Sequence, residues 1–246
     1  MKKKVLKISL FLVVAIILIS SIFLGSFFLT SYKPTSAALS NIDNSVSLNI
    51  DDDNLITLTP KNTNVETGLI IYPGAKVEPE SYIPLADKIA EAGYEVVITP
   101  MPLNFAIFDS EAADKAISHF PNIKHWAISG HSLGGVMAAK YASEHSNIDG
   151  VIFYASYPQD DALKNSDVEV TSIYGSLDGV ADLDKIANSK YLLPSSTDFV
   201  ELEGGNNAQF GSYGEQSGDN PATISNDEQI SEAATASINL LDEISK

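Results

Sequence analysis

The chain has 246 residues, with 15 basic and 32 acidic side chains and a formal net charge of −17. A surface this acidic repels the phosphates of nucleic acids, so nucleic acid is excluded as an expected partner. Cysteine is absent, which excludes disulfides, thiolate catalysis and zinc–thiolate sites. The acidic run Asp51-Asp52-Asp53 lacks the glycine and the distal glutamate of a calcium loop and predicts a turn. Neither a metal nor a cofactor is expected.

The N-terminus predicts a membrane segment. Residues Ile8 to Leu29 are 22 residues without a charge, and four lysines precede them. At about 1.5 Å per residue, such a helix reaches roughly 33 Å, enough for a bilayer core of about 30 Å. We therefore expect residues 1–30 to form a single-pass anchor, with the lysines cytoplasmic and the following domain outside the cell. The alternative is a cleaved signal peptide, for which Ser36-Ala37-Ala38 resembles a cleavage site.

One domain is expected after this anchor. Residues 31–45 are polar and are predicted to form a stalk, and residues 46–246 are long enough for one sizeable core. Short apolar runs alternate there with segments of helical periodicity, which is typical of an α/β fold with a mainly parallel sheet and helices on both faces. Strands are predicted at 46–50, 55–59, 68–72, 94–99, 124–129, 151–154, 168–174 and 198–202, and helices at 80–92, 111–119, 133–144, 182–191 and 227–244.

A Gly-x-Ser-x-Gly sequence, Gly130 to Gly134, lies between a predicted strand and a helix rich in small residues. This arrangement is typical of the nucleophile elbow of a serine hydrolase, and it predicts Ser132 as the nucleophile. Two backbone N–H groups are expected to form an oxyanion hole. One belongs to Leu133, and the other to the loop after strand 68–72, where Ala75 is the preferred donor and Lys76 the next.

Asp178 is the candidate acid of the same site. It follows strand 168–174, and in a parallel sheet ligands bind at the carboxyl ends of the strands. A carboxylate at this place can orient an imidazole, and the order nucleophile, acid, base is that of α/β-hydrolases. Two alternatives remain, an ordinary turn aspartate at 178 and Asp182 as the acid.

Several stretches together resemble a bacterial α/β-hydrolase family often called the fold-5 hydrolases. The resemblance covers most of the chain from about residue 46 to the end. It implies the α/β-hydrolase fold and a serine, aspartate and histidine triad. The matching stretches are Tyr-Pro-Gly-Ala-Lys-Val at 72–77, Met-Pro-Leu-Asn-Phe-Ala-Ile-Phe at 101–108, Gly-His-Ser-Leu-Gly-Gly at 130–135, Tyr-Gly-Ser-Leu-Asp-Gly at 174–179 and Gly-Gly-Asn-Asn-Ala-Gln-Phe-Gly-Ser-Tyr-Gly at 204–214.

The chain departs from the family pattern at Asn207, where the resemblance implies the histidine base. A neutral amide cannot accept the serine proton near pH 7, whereas an imidazole can. Loss of one triad member costs up to about a million-fold in kcat, with a residual of about 10³–10⁴ over water. Asn207 is expected to hydrogen-bond both Ser132 and Asp178 and so to keep the site in a ligand-binding geometry.

Other side chains are expected around this site. His131 adjoins Ser132, and its ring is expected to point away and to pack or bond around the elbow. His119, His125 and His145 are expected at a distance from Ser132, on the surface or in packing roles. The predicted substrate pocket contains Lys76, Asn104, Phe105, His131 and Phe210, although its aromatic residues are equally compatible with the core.

Three functions are compatible with these features. The first is a membrane-anchored extracytoplasmic serine hydrolase acting on a small-molecule ester or a similar acyl bond, impaired by the missing histidine. The second is a catalytically inactive binding module with a hydrolase fold at the cell surface. The third is an acidic wall-associated interaction protein whose pocket has no role. No pattern in the sequence indicates an oligomeric state.

Overall fold

The computed structural model describes residues 2–40, 42–61 and 64–246, in two compact units, Met1–Ser31 and Tyr32–Lys246. The first unit is the helix α1 (Lys2–Leu29), and large apolar side chains such as Phe11 and Ile19 are exposed on it. Among the described residues, no helix meets the length and hydropathy that crossing a bilayer requires. The N-terminal transmembrane anchor therefore stays a prediction.

The second unit alternates strands with helices, as the sequence pattern predicts. Short 3₁₀ turns at 79–82, 102–104, 106–108, 189–191 and 208–210 lie in its loops. The strands are β1 (Val46–Ile50), β2 (Ile56–Pro60), β3 (Thr67–Tyr72), β4 (Glu95–Ile98), β5 (His125–His131), β6 (Gly150–Tyr154), β7 (Glu169–Gly175) and β8 (Asp198–Leu202), and the helices are α2 (Ile83–Glu91), α3 (Ala113–His119), α4 (Leu133–Glu144), α5 (Leu183–Asn188) and α6 (Asn226–Ile244).

All eight strands form one sheet in the order β1-β2-β4-β3-β5-β6-β7-β8. The pairs from β4 through β3 to β8 are parallel, whereas β1 and β2 form an antiparallel hairpin beside β4. The prediction of a mainly parallel sheet is therefore confirmed. Because β3, β5, β7 and β8 run in the same direction, the loops that follow them meet at one edge of the sheet.

Helices cover both faces of the sheet, because the buried strands carry apolar side chains on both sides. Leu69 and Ile71 of β3 belong to a core cluster that includes residues of α2 and α6. Ile70 and Tyr72 of the same strand belong to a second cluster with residues of α3 and α4. This alternation with a period of two is the ordinary geometry of a β-strand and places one hydrophobic layer on each face.

The start of α3 differs from the prediction. The sequence predicts a helix that begins at residue 111, but α3 begins at Ala113, and Ala112 occupies the N-cap position without a side-chain hydrogen bond. The hydroxyl of Tyr72 donates to the carbonyl of Ser110 at 2.7 Å and accepts the N–H of Ala113 at 2.9 Å. A buried tyrosine from β3 therefore satisfies two backbone groups at the start of α3.

The predicted stalk also needs correction for residues 32–38, which pack on the second unit. The N–H of Tyr32 donates to the carbonyl of Lys76 at 2.7 Å, and the N–H of Thr35 donates to the carbonyl of Ser212 at 2.8 Å. Ala38 is only 1% exposed. These contacts make the segment part of the folded unit, although its polar composition is typical of a tether.

Glu95, at the start of β4, is a buried carboxyl group that is 1% exposed. Its Oε1 atom accepts a hydrogen bond from the hydroxyl of Thr59 at 2.9 Å. Burial raises the pKa of Glu95 to about 7. Because the folded-state pKa lies above the unfolded one, this group stabilises the fold at low pH, and that stability is lost as the pH rises to about 7.

We therefore expect Glu95→Gln to stabilise the protein at pH 8, by roughly 2 kcal/mol in the free energy of unfolding, because the amide carries no buried charge. The gain should shrink towards zero near pH 4. Denaturant unfolding at a series of pH values measures it, and Glu91→Gln, at an exposed position, is the matched control. A gain that does not depend on pH would contradict the prediction.

Candidate active site

Ser132 is the single residue that joins β5 to α4, and it has φ 50° and ψ −120°. A non-glycine residue in this region stores roughly 1–3 kcal/mol and persists only where its surroundings enforce it. Here the N–H of Ser132 donates to the carbonyl of Tyr154 at 2.9 Å. Its carbonyl accepts from the hydroxyl of Ser156 at 2.6 Å. Two hydrogen bonds to β6 and the residues after it therefore hold the strained turn in place.

Gly134 is the close-approach glycine of this elbow. A Cβ atom there would lie 2.3 Å from the carbonyl oxygen of Tyr72, which is closer than real Cβ contacts allow. The missing side chain lets the first turn of α4 approach the end of β3. The elbow and the loop after β3 are thereby brought side by side.

In these segments, the N–H groups of Leu133 and Ala75 have no acceptor among the described residues. Leu133 is the first residue of α4, where N–H groups have no intrahelical partner. In the loop after β3, the N–H of Gly74 donates to the hydroxyl of Tyr82 at 2.9 Å, and that of Lys76 donates to the carbonyl of Asn104 at 2.8 Å. Ala75 is therefore a better candidate than Lys76 for the second donor to an oxyanion.

Asp178 follows β7 and is 6% exposed. Its Oδ1 atom accepts the N–H groups of Val180 and Ala181 at 2.8 and 2.7 Å, and its Oδ2 atom accepts the side-chain amide of Asn207 at 2.9 Å. Burial raises the pKa of Asp178, and these hydrogen bonds oppose the rise. Asp182, the alternative acid, is exposed and caps α5 by accepting from the N–H of Lys185.

Asn207 has no exposed surface, and its amide uses both of its ends. Its Nδ2 atom donates to Asp178, and its Oδ1 atom lies 3.0 Å from Nε2 of His131. The expected bond to Asp178 is present. The expected bond to Ser132 is not found among the described residues, and Oδ1 bonds His131 instead.

His131 is 1% exposed, and both of its ring nitrogens have partners. Its Nδ1 atom lies 2.8 Å from the hydroxyl of Tyr82, and its Nε2 atom contacts Asn207. Burial lowers the pKa of His131 to about 4, so the imidazole is neutral at pH 7. As the sequence suggests, the ring bonds beneath the elbow, and its burial keeps it from lining a substrate pocket in this structure.

The other three histidines are far from Ser132 along their elements. His125 begins β5, seven residues before Ser132, which corresponds to roughly 23 Å of strand. His145 follows the last residue of α4, roughly 20 Å of helix away. His119 ends α3 and lies 3.9 Å from Asp51. Each of them faces a carboxylate outside the elbow region.

The remaining predicted pocket residues divide between the loops and the core. Lys76, Asn104 and Phe105 are half-buried, and the hydrogen bond from Lys76 to Asn104 joins their two loops. Phe210 has no exposed surface and packs 5.6 Å from the ring of Tyr154 and 5.9 Å from that of His131. Of the two possibilities left open for Phe210, the structure places it in the core.

Sequence reasoning missed four residues near this site. Tyr82 contacts Gly74 and His131, as described above. Ile107 and Phe108, which are 58% and 61% exposed, form an apolar surface in a turn that packs on α4. Asp219 joins two loops by accepting the N–H of Gly179 at 2.9 Å and that of Ala208 at 2.8 Å. Of these four residues, only Ile107 and Phe108 could have been found from the sequence, because two large apolar residues in a loop suggest a contact surface.

A cavity of about 420 Å³ lies beside the loop that carries Asn207. Its lining includes Asn206 and Ala208, the neighbours of Asn207, together with Asp219, and Ser132 is not part of it. The loop therefore has two sides. The side chain of Asn207 bonds Asp178 and His131, whereas Asn206 and Ala208 border this cavity.

Comparisons with known proteins agree with this architecture. Residues 68–231 match the model of the alpha/beta hydrolase family. The solved structure of a predicted CIB-like hydrolase from Thermoplasma acidophilum is similar in fold, with a TM-score of 0.57 and 15% identity over 79% of this chain and 99% of that chain. No curated protein matches the sequence.

The strain at Ser132 leads to a stability prediction. Glycine has no Cβ atom and adopts this backbone conformation without strain, whereas alanine has a Cβ atom and keeps the strain. We expect Ser132→Gly to exceed Ser132→Ala by about 1 kcal/mol in the free energy of unfolding, measured by denaturant titration. At Ser143, an exposed residue within α4, the same pair should differ by about 1 kcal/mol in the opposite direction. Equal signs at the two positions would contradict the argument.

Proposed function

Because this chain belongs to the alpha/beta hydrolase family, we propose that its folded domain is a serine hydrolase acting on an ester or a similar acyl bond. The observation that carries the proposal is the elbow. Ser132 lies in a strained single-residue turn, beside two N–H groups that have no acceptor in the described chain. Donors held in this way can stabilise the negative charge that develops on a carbonyl oxygen during acyl transfer.

In the proposed reaction, Oγ of Ser132 attacks the carbonyl carbon of the ester. The carbonyl oxygen accepts hydrogen bonds from the N–H groups of Leu133 and Ala75. The hydroxyl proton of Ser132 passes to solvent, the ester C–O bond breaks, and the alcohol leaves with a proton from solvent. Water then hydrolyses the acyl-enzyme, which releases the carboxylic acid and regenerates the hydroxyl. Because the amide of Asn207 cannot accept the proton, solvent has to take it, and we expect slow turnover.

The surroundings of the elbow support a substrate with an apolar part. Phe105 and the exposed Ile107 and Phe108 follow Asn104, whose carbonyl accepts from the oxyanion loop at Lys76. The rings of Phe105 and Phe108 lie 6.1 Å apart. An apolar acyl or alcohol group would bury these side chains on binding. Each Å² of apolar surface removed from water contributes about 25 cal/mol to the free energy of binding.

The arrangement of Asn207 favours a second candidate, a binding module without turnover. Its amide is buried and bonded at both ends, to Asp178 and to His131, and no bond from it to Ser132 is found among the described residues. A site of this kind would hold an ester or an acid in the oxyanion hole without hydrolysing it. The hydrolysis experiment below separates the two functions.

We further propose that α1 anchors the domain to the cell membrane with the domain outside the cell. This proposal is supported by the uncharged apolar run after four lysines and by the positive-inside rule. The alternative remains secretion after signal cleavage near Ala38.

For the hydrolysis, we expect the full-length chain to cleave an aryl ester slowly and Ser132→Ala to abolish this activity. Asn207→His should raise kcat by about 100-fold or more, because an imidazole next to Asp178 can act as a general base. Steady-state kinetics measures both effects. The matched control is Asn206→His, at the neighbouring buried asparagine whose amide donates to the carbonyl of Asn220 instead, and it should give no gain.

The outcomes distinguish the two functions. Hydrolysis by the wild type that does not need Ser132 would overturn the proposed nucleophile. A silent wild type combined with an active Asn207→His variant would favour the binding module over the hydrolase. Silence in both, with the protein folded, would remove acyl hydrolysis from consideration.

For the location, we expect the 26.4 kDa chain to sediment with membranes, to stay there in high salt and to be released by detergent. Protease added outside intact cells should degrade the domain. Mass spectrometry of the recovered protein gives its N-terminus. A shorter chain in the culture medium would reject the anchor in favour of cleavage.

A further inference from the structure

We propose that Tyr82 and His131 are positioning residues of the oxyanion loop, joined by the amide of Asn207 into one buried chain of hydrogen bonds. The chain begins at the N–H of Gly74, next to the proposed donor Ala75, and ends on the carboxylate of Asp178. It deepens the proposed function and rests on it, because it assigns the loop after β3 to the oxyanion hole.

The contacts of this chain are short and consecutive. The N–H of Gly74 lies 2.9 Å from the hydroxyl oxygen of Tyr82, which lies 2.8 Å from Nδ1 of His131. Nε2 of His131 lies 3.0 Å from Oδ1 of Asn207, whose Nδ2 atom lies 2.9 Å from Asp178. Four successive hydrogen bonds therefore connect the loop after β3 to the loop after β7.

The direction of the chain is fixed at its first member, because a backbone N–H can only donate. Tyr82 therefore accepts from Gly74 and has its own proton left to give, and Nδ1 of His131 is the acceptor within reach. A neutral imidazole that accepts at Nδ1 carries its proton on Nε2, which then donates to Oδ1 of Asn207. The amide donates in turn to Asp178. Every polar group along the chain is satisfied in this direction.

The reverse direction fails at Tyr82. If His131 donated from Nδ1, the hydroxyl oxygen of Tyr82 would accept twice, and its proton would have no acceptor in the chain. Tyr82 has no exposed surface, so water cannot replace that acceptor without entering the core. Unsatisfied buried polar groups are costly, and the observed distances therefore correspond to one arrangement of protons.

The chain contacts the oxyanion loop at close range. A Cβ atom at Gly74 would lie 2.6 Å from Nδ1 of His131 and 3.1 Å from the hydroxyl of Tyr82. The backbone of the loop thus rests directly on the two side chains. Because Ala75 follows Gly74, a shift of Gly74 moves the N–H that would bind the oxyanion, and misplacing such a donor reduces kcat rather than substrate affinity.

The decisive experiment compares Tyr82→Phe with Tyr141→Phe in the full-length protein. Both tyrosines are buried without exposed surface, and each loses one hydroxyl. The hydroxyl of Tyr141 bonds Asp114 and lies outside the chain of hydrogen bonds. We expect Tyr82→Phe to lower kcat for the aryl ester about tenfold or more with KM unchanged within about twofold. Tyr141→Phe should leave both values near those of the wild type.

Two measurements keep the test independent of hydrolysis. Amide hydrogen exchange at Gly74 should accelerate at least about tenfold in Tyr82→Phe and stay unchanged in Tyr141→Phe. Nitrogen NMR of the wild-type imidazole, assigned with His131→Gln, should show a neutral ring protonated on Nε2 at pH 7. The second measurement needs no variant of Tyr82, so it also covers the case in which Tyr82→Phe does not fold.

Each result supports or overturns the proposal. Equal losses of kcat in the two phenylalanine variants, a change in KM alone, unchanged exchange at Gly74, or a ring protonated on Nδ1 would each overturn it. A wild type without Ser132-dependent hydrolysis would refute the proposed function. In that case exchange at Gly74 and the state of the imidazole would still decide whether the chain of hydrogen bonds exists.

Discussion

The reversal of the chain on a single residue at Ser132 is the constraint on which the rest of the site depends. β5 ends at His131 and α4 begins at Leu133, so no loop is available to relieve the turn. Both neighbours of β5 in the sheet are needed to hold it. On one side, the carbonyl of Tyr154 in β6 accepts from the N–H of Ser132, and the hydroxyl of Ser156 donates to its carbonyl. On the other side, β3 supplies the backbone against which Gly134 packs.

The same strand determines where the ring of His131 lies. Side chains alternate between the two faces of a strand, and Ala127 of β5 belongs to the cluster that packs with α2 and α6. His131, four residues later, lies on that face, where Tyr82 and Phe210 surround its ring. The ring of His131 is therefore separated from the side chain of Ser132 by the backbone turn. It bonds the loops beneath the site instead of facing a substrate.

The sequence predicts the framework of this site better than its side-chain bonds. The order of strands and helices, the elbow and the position of Asp178 after β7 all follow from periodicity and from the Gly-x-Ser-x-Gly spacing. The partner of Asn207 does not, because its bond to His131 spans 76 positions and depends on how β5 and β8 are placed in the sheet. The cap of α3 by Tyr72 and the burial of Phe210 depend on the same kind of long-range packing.

The side chain of Asn207 bonds two buried neighbours, and this role differs from that of a general base. A general base at this position needs a free lone pair directed at Ser132. The one acceptor atom in the side chain of Asn207 is Oδ1, and His131 already donates to it, while Nδ2 faces Asp178. An amide satisfies both buried neighbours at once, because it donates at one end and accepts at the other. These atoms keep His131 and Asp178 satisfied in the core, so a different side chain at this position has to replace both bonds or leave a buried polar group without a partner.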